Sequence, residues 1–188
     1  MFQMMTSASS AVVLIGLRGA GKTTLGRRLA ESLGRSFQDL DERALAACPE
    51  STVQAVFDTR GEQAWREAEA TAFGEALSEG IDILALGGGA PMIEAIDAAL
   101  ETGRANGRVR VIWLDAADAV LAERIGAHDP GRPPLLGNDA GTEQTPEAET
   151  RAMRARRAPT FTRLADVVLD THCDREQLLR QLEEAATS

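Results

Sequence analysis

The sequence has few of the residues that build metal clusters and disulfide frameworks. Its 188 residues include two cysteines, Cys48 and Cys173, and two histidines, His128 and His172. Neither pair has the spacing of structural zinc ligands, so we expect two free thiols and no zinc site. Free thiols are typical of a reducing compartment, and we therefore predict a cytoplasmic protein.

Long apolar segments and an excess of positive charge are also missing. No apolar run approaches the roughly 20 residues that a membrane-spanning helix requires. Residues 1–10 lack the basic start and apolar stretch of a signal peptide, and they are expected to form a loose tail. The net charge of −9 would repel nucleic acid phosphates. We therefore expect neither a membrane nor a nucleic acid as a partner.

Lysine is the scarcest charged residue, because Lys22 is the only one in the chain. It lies in residues 16–23, which match the phosphate-binding pattern G-x-x-x-x-G-K-[ST] between a buried strand pattern and a helical one. Such a loop surrounds phosphates with backbone N–H groups, and the following helix presents its positive end. Lys22 can reach the β- and γ-phosphates, and the Thr23 hydroxyl can bind Mg²⁺. The residues predicted to hold the nucleotide are Gly19, Ala20, Gly21, Lys22, Thr23 and Thr24.

Apolar runs alternate with helical patterns along the chain, which predicts an α/β fold with a mainly parallel sheet covered on both faces. One long stretch, residues 128–146, is dominated by Pro, Gly and short polar residues and is predicted to be a loop. A helix is expected at about 146–157. The predicted strands lie at 11–15, 36–40, 81–86, 109–114 and 167–169.

A phosphate-binding loop leaves several classes of protein open. A GTPase with the guanine-reading N-K-x-D segment is excluded, since no second lysine exists. The chain is short for a large ATPase machine. A small-molecule kinase remains, and it needs an acceptor site beside the γ-phosphate.

Four further segments are candidates for that acceptor site. Residues 36–41 (SFQDLD) end a predicted strand with two carboxylates, and a carboxylate there can orient a hydroxyl and accept its proton. Residues 87–89 are three glycines at the carboxyl end of another predicted strand, where ligands bind in such sheets. The other two segments are 57–69 (FDTRGEQAWREAE) and 156–161 (RRAPTF).

Taken together, these segments resemble those of the shikimate kinase family, from about residue 12 to about residue 182. Residues 36–41 resemble its F-x-D-x-D element, 57–69 its I-F-x-x-x-G-E-x-x-F-R-x-x-E, and 156–161 its R-x-P-x-Y. Residues 131–136 resemble its lid sequence R-P-L-L with one proline added. The resemblance implies a P-loop NTPase three-layer sandwich, similar to nucleoside-monophosphate kinases, with five parallel strands and a lid loop. It also implies transfer of the ATP γ-phosphate to the 3-hydroxyl of shikimate with Mg²⁺, in a protein expected to be a monomer.

The resemblance also implies roles for individual residues. Asp41 would act on the substrate hydroxyl, and Asp39 would support Mg²⁺ together with Thr23. Arg132 on the lid would stabilise charge on the transferred phosphoryl group, and Arg124 would lie near the adenine. The residues implied to bind shikimate are Asp41, Arg66, Gly87, Gly88, Gly89 and Arg157, with the two arginines on its carboxylate.

Simpler interpretations stay open for several of these residues. Asp41 precedes a helical stretch and is also a candidate helix N-cap. Arg66 can instead pair with a neighbouring glutamate on a solvated helix face, and Arg154 competes with Arg157 for the carboxylate. Leu86 stands where the family has Ser or Thr, and Phe161 where it has tyrosine. The alternatives for the whole protein are another metabolite kinase, such as one acting on gluconate, or a non-catalytic sensor of nucleotide or shikimate.

Overall fold

The computed structural model describes residues 10–128 and 145–188, with the side chains of residues 127 and 128 left out. The strands are β1 (Ala11–Ile15), β2 (Phe37–Asp39), β3 (Ile83–Ala85), β4 (Val109–Asp115) and β5 (Val167–Asp170). The helices are α1 (Lys22–Leu33), α2 (Leu40–Ala46), α3 (Val53–Ser78), α4 (Glu94–Ala105), α5 (Asp118–His128), α6 (Pro146–Leu164) and α7 (Arg175–Thr187), with a 3₁₀ turn at Ala90–Met92. Most of the predicted lid, including Arg132, and the predicted tail lie outside the described residues.

The five strands form one parallel sheet in the order β2-β3-β1-β4-β5. The predicted five-stranded parallel architecture is therefore confirmed. Residues Val12–Ile15 of the central strand are fully buried, which explains their unbroken apolar run. Since β2, β3 and β1 are neighbours, the segments at their carboxyl ends meet at one edge of the sheet. These segments contain Asp39 and Asp41 (the acidic pair), residues 87–89 (the glycine triplet) and residues 16–23 (the phosphate loop).

Helix α3 joins two helical patterns across one irregular residue. Gly61 has φ 81° and ψ 168° inside the helix, a conformation that side chains with a Cβ rarely adopt. The helix therefore kinks at Gly61, and the segment after the kink carries Arg66.

The predicted end of the helix that begins at residue 146 was wrong. Helix α6 continues past residue 157 and through Pro159 to Leu164. Proline removes one backbone hydrogen bond inside a helix, but Phe161 and Leu164 are buried beyond it. Phe161 also packs edge-on against Trp113 of β4, with the ring centroids 5.6 Å apart. Tertiary packing of the last turn therefore outweighs the local effect of proline.

No helix within residues 10–128 and 145–188 is both long and apolar enough to cross a membrane. This agrees with the lack of long apolar runs in the sequence.

Helix α1 packs closely on the sheet at a glycine. A methyl group at Gly26 would lie 2.5 Å from Cε2 of Phe37 and 3.1 Å from Cδ1 of Leu14. Gly74 of α3 is exposed, and a methyl group there would meet nothing within 4 Å. Both glycines lie inside helices, so they differ mainly in the space around them.

We therefore expect Gly26→Ala to lower the free energy of unfolding by about 1–3 kcal/mol through overpacking. Gly74→Ala should instead raise it by about 0.5–1 kcal/mol, because alanine favours the helix. Urea denaturation followed by circular dichroism measures both changes. Changes of the same sign in the two variants would contradict close packing of α1 at Gly26.

Candidate active site

The phosphate loop joins β1 to α1 and contains three glycines with positive φ. Gly16, Gly19 and Gly21 have φ values of 146°, 81° and 89°. A methyl group on Gly16 would collide with the carbonyl oxygen of Leu114. Only glycine therefore allows the loop to turn this closely against β4.

Lys22 is positioned by the loop itself. Its Nζ donates to the carbonyl oxygens of Gly16 and Leu17, both at 2.9 Å. Most of the predicted nucleotide residues line one large cavity, whereas Ala20 is fully buried. The lining residues of this group are Gly19, Gly21, Lys22, Thr23 and Thr24.

The two predicted metal ligands lie in contact. The Thr23 hydroxyl donates to Oδ2 of Asp39 at 2.6 Å, which links α1 to the end of β2. Oδ1 of Asp39 accepts from the backbone N–H groups of Asp41 at 3.0 Å and Glu42 at 3.2 Å. Asp39, and not Asp41, is therefore the N-cap of α2, and the N-cap interpretation of Asp41 was wrong.

This pair suits Mg²⁺, which usually keeps several waters and takes one or two protein oxygens beside substrate phosphates. Within the described part of the chain, no group of three or more His, Cys, Asp or Glu side chains could hold a metal. Thr23 and Asp39 thus fit a metal shared with a nucleotide.

The glycine triplet brings charged side chains from three helices together. A methyl group on Gly87 would collide with Oδ1 of Asp41 and lie 2.9 Å from Oε1 of Glu69. On Gly88 it would lie 3.0 Å from Nη1 of Arg157, and on Gly89 it would lie 2.8 Å from Nη1 of Arg66. Each glycine therefore leaves room for a charged group from α2, α3 or α6.

Arg66 pairs with two glutamates of its own helix. Its Nε and Nη2 donate to Oε1 of Glu62 at 3.2 and 2.8 Å, and its Nη1 donates to Oε2 of Glu69 at 2.7 Å. The pairing with a neighbouring glutamate that the sequence left open is thus present. The guanidinium is nevertheless not on a fully solvated face, because its side chain is only 26% exposed and lies against Gly89.

Of the two arginines at the glycine triplet, Arg157 is the one whose positive charge is less well paired with carboxylates among the described residues. Burial, followed by the positive charges of Arg66 and Arg156, lowers its pKa, although Glu69 and Glu62 act in the opposite direction. No hydrogen bond or ion pair joins Arg157 to another residue in the described ranges. Its guanidinium lines the large cavity and is suited to bind an anion.

Arg154, the competitor of Arg157, is engaged elsewhere. It donates to Oδ1 of Asp115 and to Oδ1 of Asp118, both at 2.6 Å, and to the carbonyl oxygen of Ala116. These partners lie at the end of β4 and the start of α5, outside the large cavity. Arg154 therefore ties α6 to these two elements.

Glu69 is a site residue that was not predicted from the sequence. It is 1% exposed, and burial raises its pKa to about 7 against the opposing charge of Arg66, with a further increase from Asp41. A signal was present in the sequence, because Glu69 falls on the apolar stripe of α3. The other buried members of that stripe after the kink are Trp65, Ala72, Phe73 and Ala76.

The cavity has a volume of about 1320 Å³ and runs from the phosphate loop to the arginines. Leu86, which stands where the resembled family has Ser or Thr, lies in its wall and is buried. A typical pocket for one drug-sized ligand measures roughly 300–1,000 Å³. The cavity therefore has room for the phosphates of a nucleotide and for a second small molecule.

Arg124 connects the phosphate loop to the segment after β5. Its Nη1 donates to the Gly19 carbonyl at 3.3 Å and to the Thr171 hydroxyl at 3.0 Å, and its Nη2 donates to the Thr171 carbonyl at 3.0 Å. This position borders the loop that would hold the nucleotide. The role of Arg124 beside adenine stays a prediction.

The chain is similar to known proteins over most of its length. The family profile described as shikimate kinase matches residues 18–187. A shikimate kinase of Thermobifida fusca (strain YX) is 38% identical over 165 residues, which cover 88% of this chain and 87% of that relative. Among solved structures, a shikimate kinase from Acinetobacter baumannii in complex with shikimate has a TM-score of 0.78 and 29% identity. That match covers 93% of this chain and 92% of the other.

A solved gluconokinase from Sinorhizobium meliloti 1021 has a TM-score of 0.57 and 19% identity, covering 95% of this chain and 90% of that one. This likeness shows a shared fold alone. The profile match over nearly the whole chain, together with a 38% identical relative of similar extent, shows that the chain belongs to the shikimate kinase family.

Proposed function

We propose that the protein transfers the γ-phosphoryl group of ATP to the 3-hydroxyl of shikimate, giving shikimate 3-phosphate and ADP. The observation that carries this proposal is the position of three charged groups at the glycine triplet. The guanidiniums of Arg157 and Arg66 lie beside Gly88 and Gly89, and the carboxylate of Asp41 lies beside Gly87. A substrate that is both an acid and an alcohol fits this arrangement. The similar Acinetobacter baumannii enzyme holds shikimate itself.

The acid is expected to bind between the two guanidiniums. Arg157 is a half-buried cation without a hydrogen-bonded partner in the described chain, so an anion there would relieve the cost of its burial. Arg66 lies near enough for its charge to lower the pKa of Arg157. A carboxylate placed between them would therefore accept charge-assisted hydrogen bonds from both sides.

The phosphates are expected at the loop before α1. Lys22 would exchange its contacts with the carbonyls of Gly16 and Leu17 for phosphate oxygens. Mg²⁺, held by Thr23 and Asp39, would supply neutralisation of the phosphate charge when bound. Arg132 is proposed to add a further positive charge from the lid.

Asp41 is expected to act on the alcohol. In the reaction, the 3-hydroxyl oxygen forms a bond to the γ-phosphorus while the bond to the β–γ bridging oxygen breaks and ADP leaves. The hydroxyl proton passes to the carboxylate of Asp41. Asp41 suits this task because it lies in the first turn of α2, between the proposed Mg²⁺ ligands Thr23 and Asp39 and the glycine triplet.

The two other candidate functions have less support. A gluconate-type kinase shares the fold, but the solved gluconokinase has a TM-score of 0.57, against 0.78 for the Acinetobacter baumannii shikimate kinase. A non-catalytic sensor would not need Lys22, Asp39 and Asp41 together, and all three line the cavity. The monomeric state and the cytoplasmic location stay predictions from the sequence.

Replacing Asp41 by asparagine should remove the proton acceptor while leaving the nucleotide site in place. We expect kcat to fall by about 10²–10⁴-fold in a coupled assay of ADP release. The Kd for ADP, measured by calorimetry, should change little. Asp58→Asn, which alters an exposed carboxylate that pairs with Gln54, is the control. A wild-type kcat in Asp41→Asn would remove Asp41 from the mechanism.

Replacing Arg157 by alanine should weaken the acid site selectively. We expect the KM for shikimate to rise by about 10- to 100-fold, the loss typical of a hydrogen bond to a charged group, with little change in the KM for ATP. Arg151→Ala, on an exposed position of the same helix, should leave both constants unchanged. Equal increases for shikimate and ATP in Arg157→Ala would count against a carboxylate site.

A further inference from the structure

Glu69 is a buried acid that the proposed transfer does not itself require. Charged groups face it from three helices: Asp41 from α2, Arg66 from α3 and Arg157 from α6. Glu62 of α3 shares Arg66 with it. One of the Glu69 oxygens accepts from Arg66, and the other points towards Gly87, where Asp41 also points. The Glu69 side chain therefore lies among the groups that are proposed to bind the substrate carboxylate.

The charges around Glu69 are not balanced for a further anion. Among the described residues, the guanidiniums of Arg66 and Arg157, with that of Arg156 near Arg157, face the carboxylates of Asp41, Glu62 and Glu69. A bound substrate carboxylate would add one more negative charge and would share Arg66 with Glu69. Since Glu69 is 1% exposed, water cannot compensate for the lost partner.

Resting on the proposed binding of an acid by Arg66 and Arg157, we propose that Glu69 takes up one proton from solvent when the substrate acid binds. The substrate carboxylate then replaces the charge of Glu69 as the partner of the two arginines. Protonation also removes a negative charge beside Asp41.

The pKa of Glu69 already lies in a range in which the carboxylate can take up a proton when an anion binds beside it. Burial raises its pKa to about 7 before any ligand is present, and a neighbouring anion raises it further. A group whose pKa rises on binding favours the complex at low pH and disfavours it as the pH increases. The affinity for shikimate should therefore fall above pH 7, in a range where the carboxyl group of shikimate itself does not titrate.

Calorimetry of the full chain with shikimate, in buffers of different ionisation enthalpy, measures the proton directly. At pH 7.5 we expect uptake of roughly three quarters of a proton per shikimate bound, and an increase in Kd of about fivefold between pH 7 and pH 8. Glu69→Gln should abolish both effects. Glu62→Gln, which changes the exposed partner of Arg66, should keep the proton uptake.

Each outcome bears on a different claim. Binding of shikimate without proton uptake would overturn the role of Glu69 and leave the proposed function intact, whereas no binding at all would overturn the proposed function. Loss of uptake in Glu62→Gln would assign the proton elsewhere and overturn the inference as well.

Infrared difference spectra keep the inference testable if Glu69→Gln does not fold. Shikimate binding to the wild-type protein should produce a carbonyl band of a protonated carboxylic acid. Labelling the protein with ¹³C-glutamate should shift that band, and it should persist in Glu62→Gln. A band that does not shift with the label would not come from a glutamate and would overturn the assignment.

Discussion

The close approach of charged side chains to the glycine triplet is the constraint on which the site depends. Asp41, Glu69, Arg157 and Arg66 all come within contact distance of the space that a side chain at residues 87–89 would fill. Any Cβ there would displace at least one of these groups. The triplet thus lets opposite charges from three helices share a small volume, which suits the proposed recognition of an acid and an alcohol.

The order of the strands explains why these groups meet at all. The acidic pair Asp39 and Asp41 lies at the end of β2, the triplet follows β3 and the phosphate loop follows β1, and these strands are neighbours in the sheet. The carboxyl ends of parallel strands share one edge, where ligands bind in such folds. A protein with a net charge of −9 can therefore hold anions locally, through the cations Lys22, Arg66 and Arg157.

The features predicted correctly from the sequence are those that local patterns determine. The buried run of β1 and the glycines of the phosphate loop are properties of neighbouring residues, so the strand and the loop were found. The end of α6 was missed because the burial of Phe161 and Leu164 depends on β4 and the rest of the core. Arg154 and Arg157 could not be separated for the same reason, since the partners Asp115 and Asp118 come from distant sequence.

The packing at the end of α6 also bears on the chemistry. Arg66 is already held by Glu62 and Glu69, whereas Arg157 has no such partner among the residues described, so an incoming acid gains more from Arg157. Arg157 lies about one turn before Phe161, which packs on Trp113 and anchors the end of α6. The continuation of α6 through Pro159 thus also matters for the proposed substrate site. It anchors the helix that carries Arg157, the cation from which the proposed acid site would gain most of its attraction.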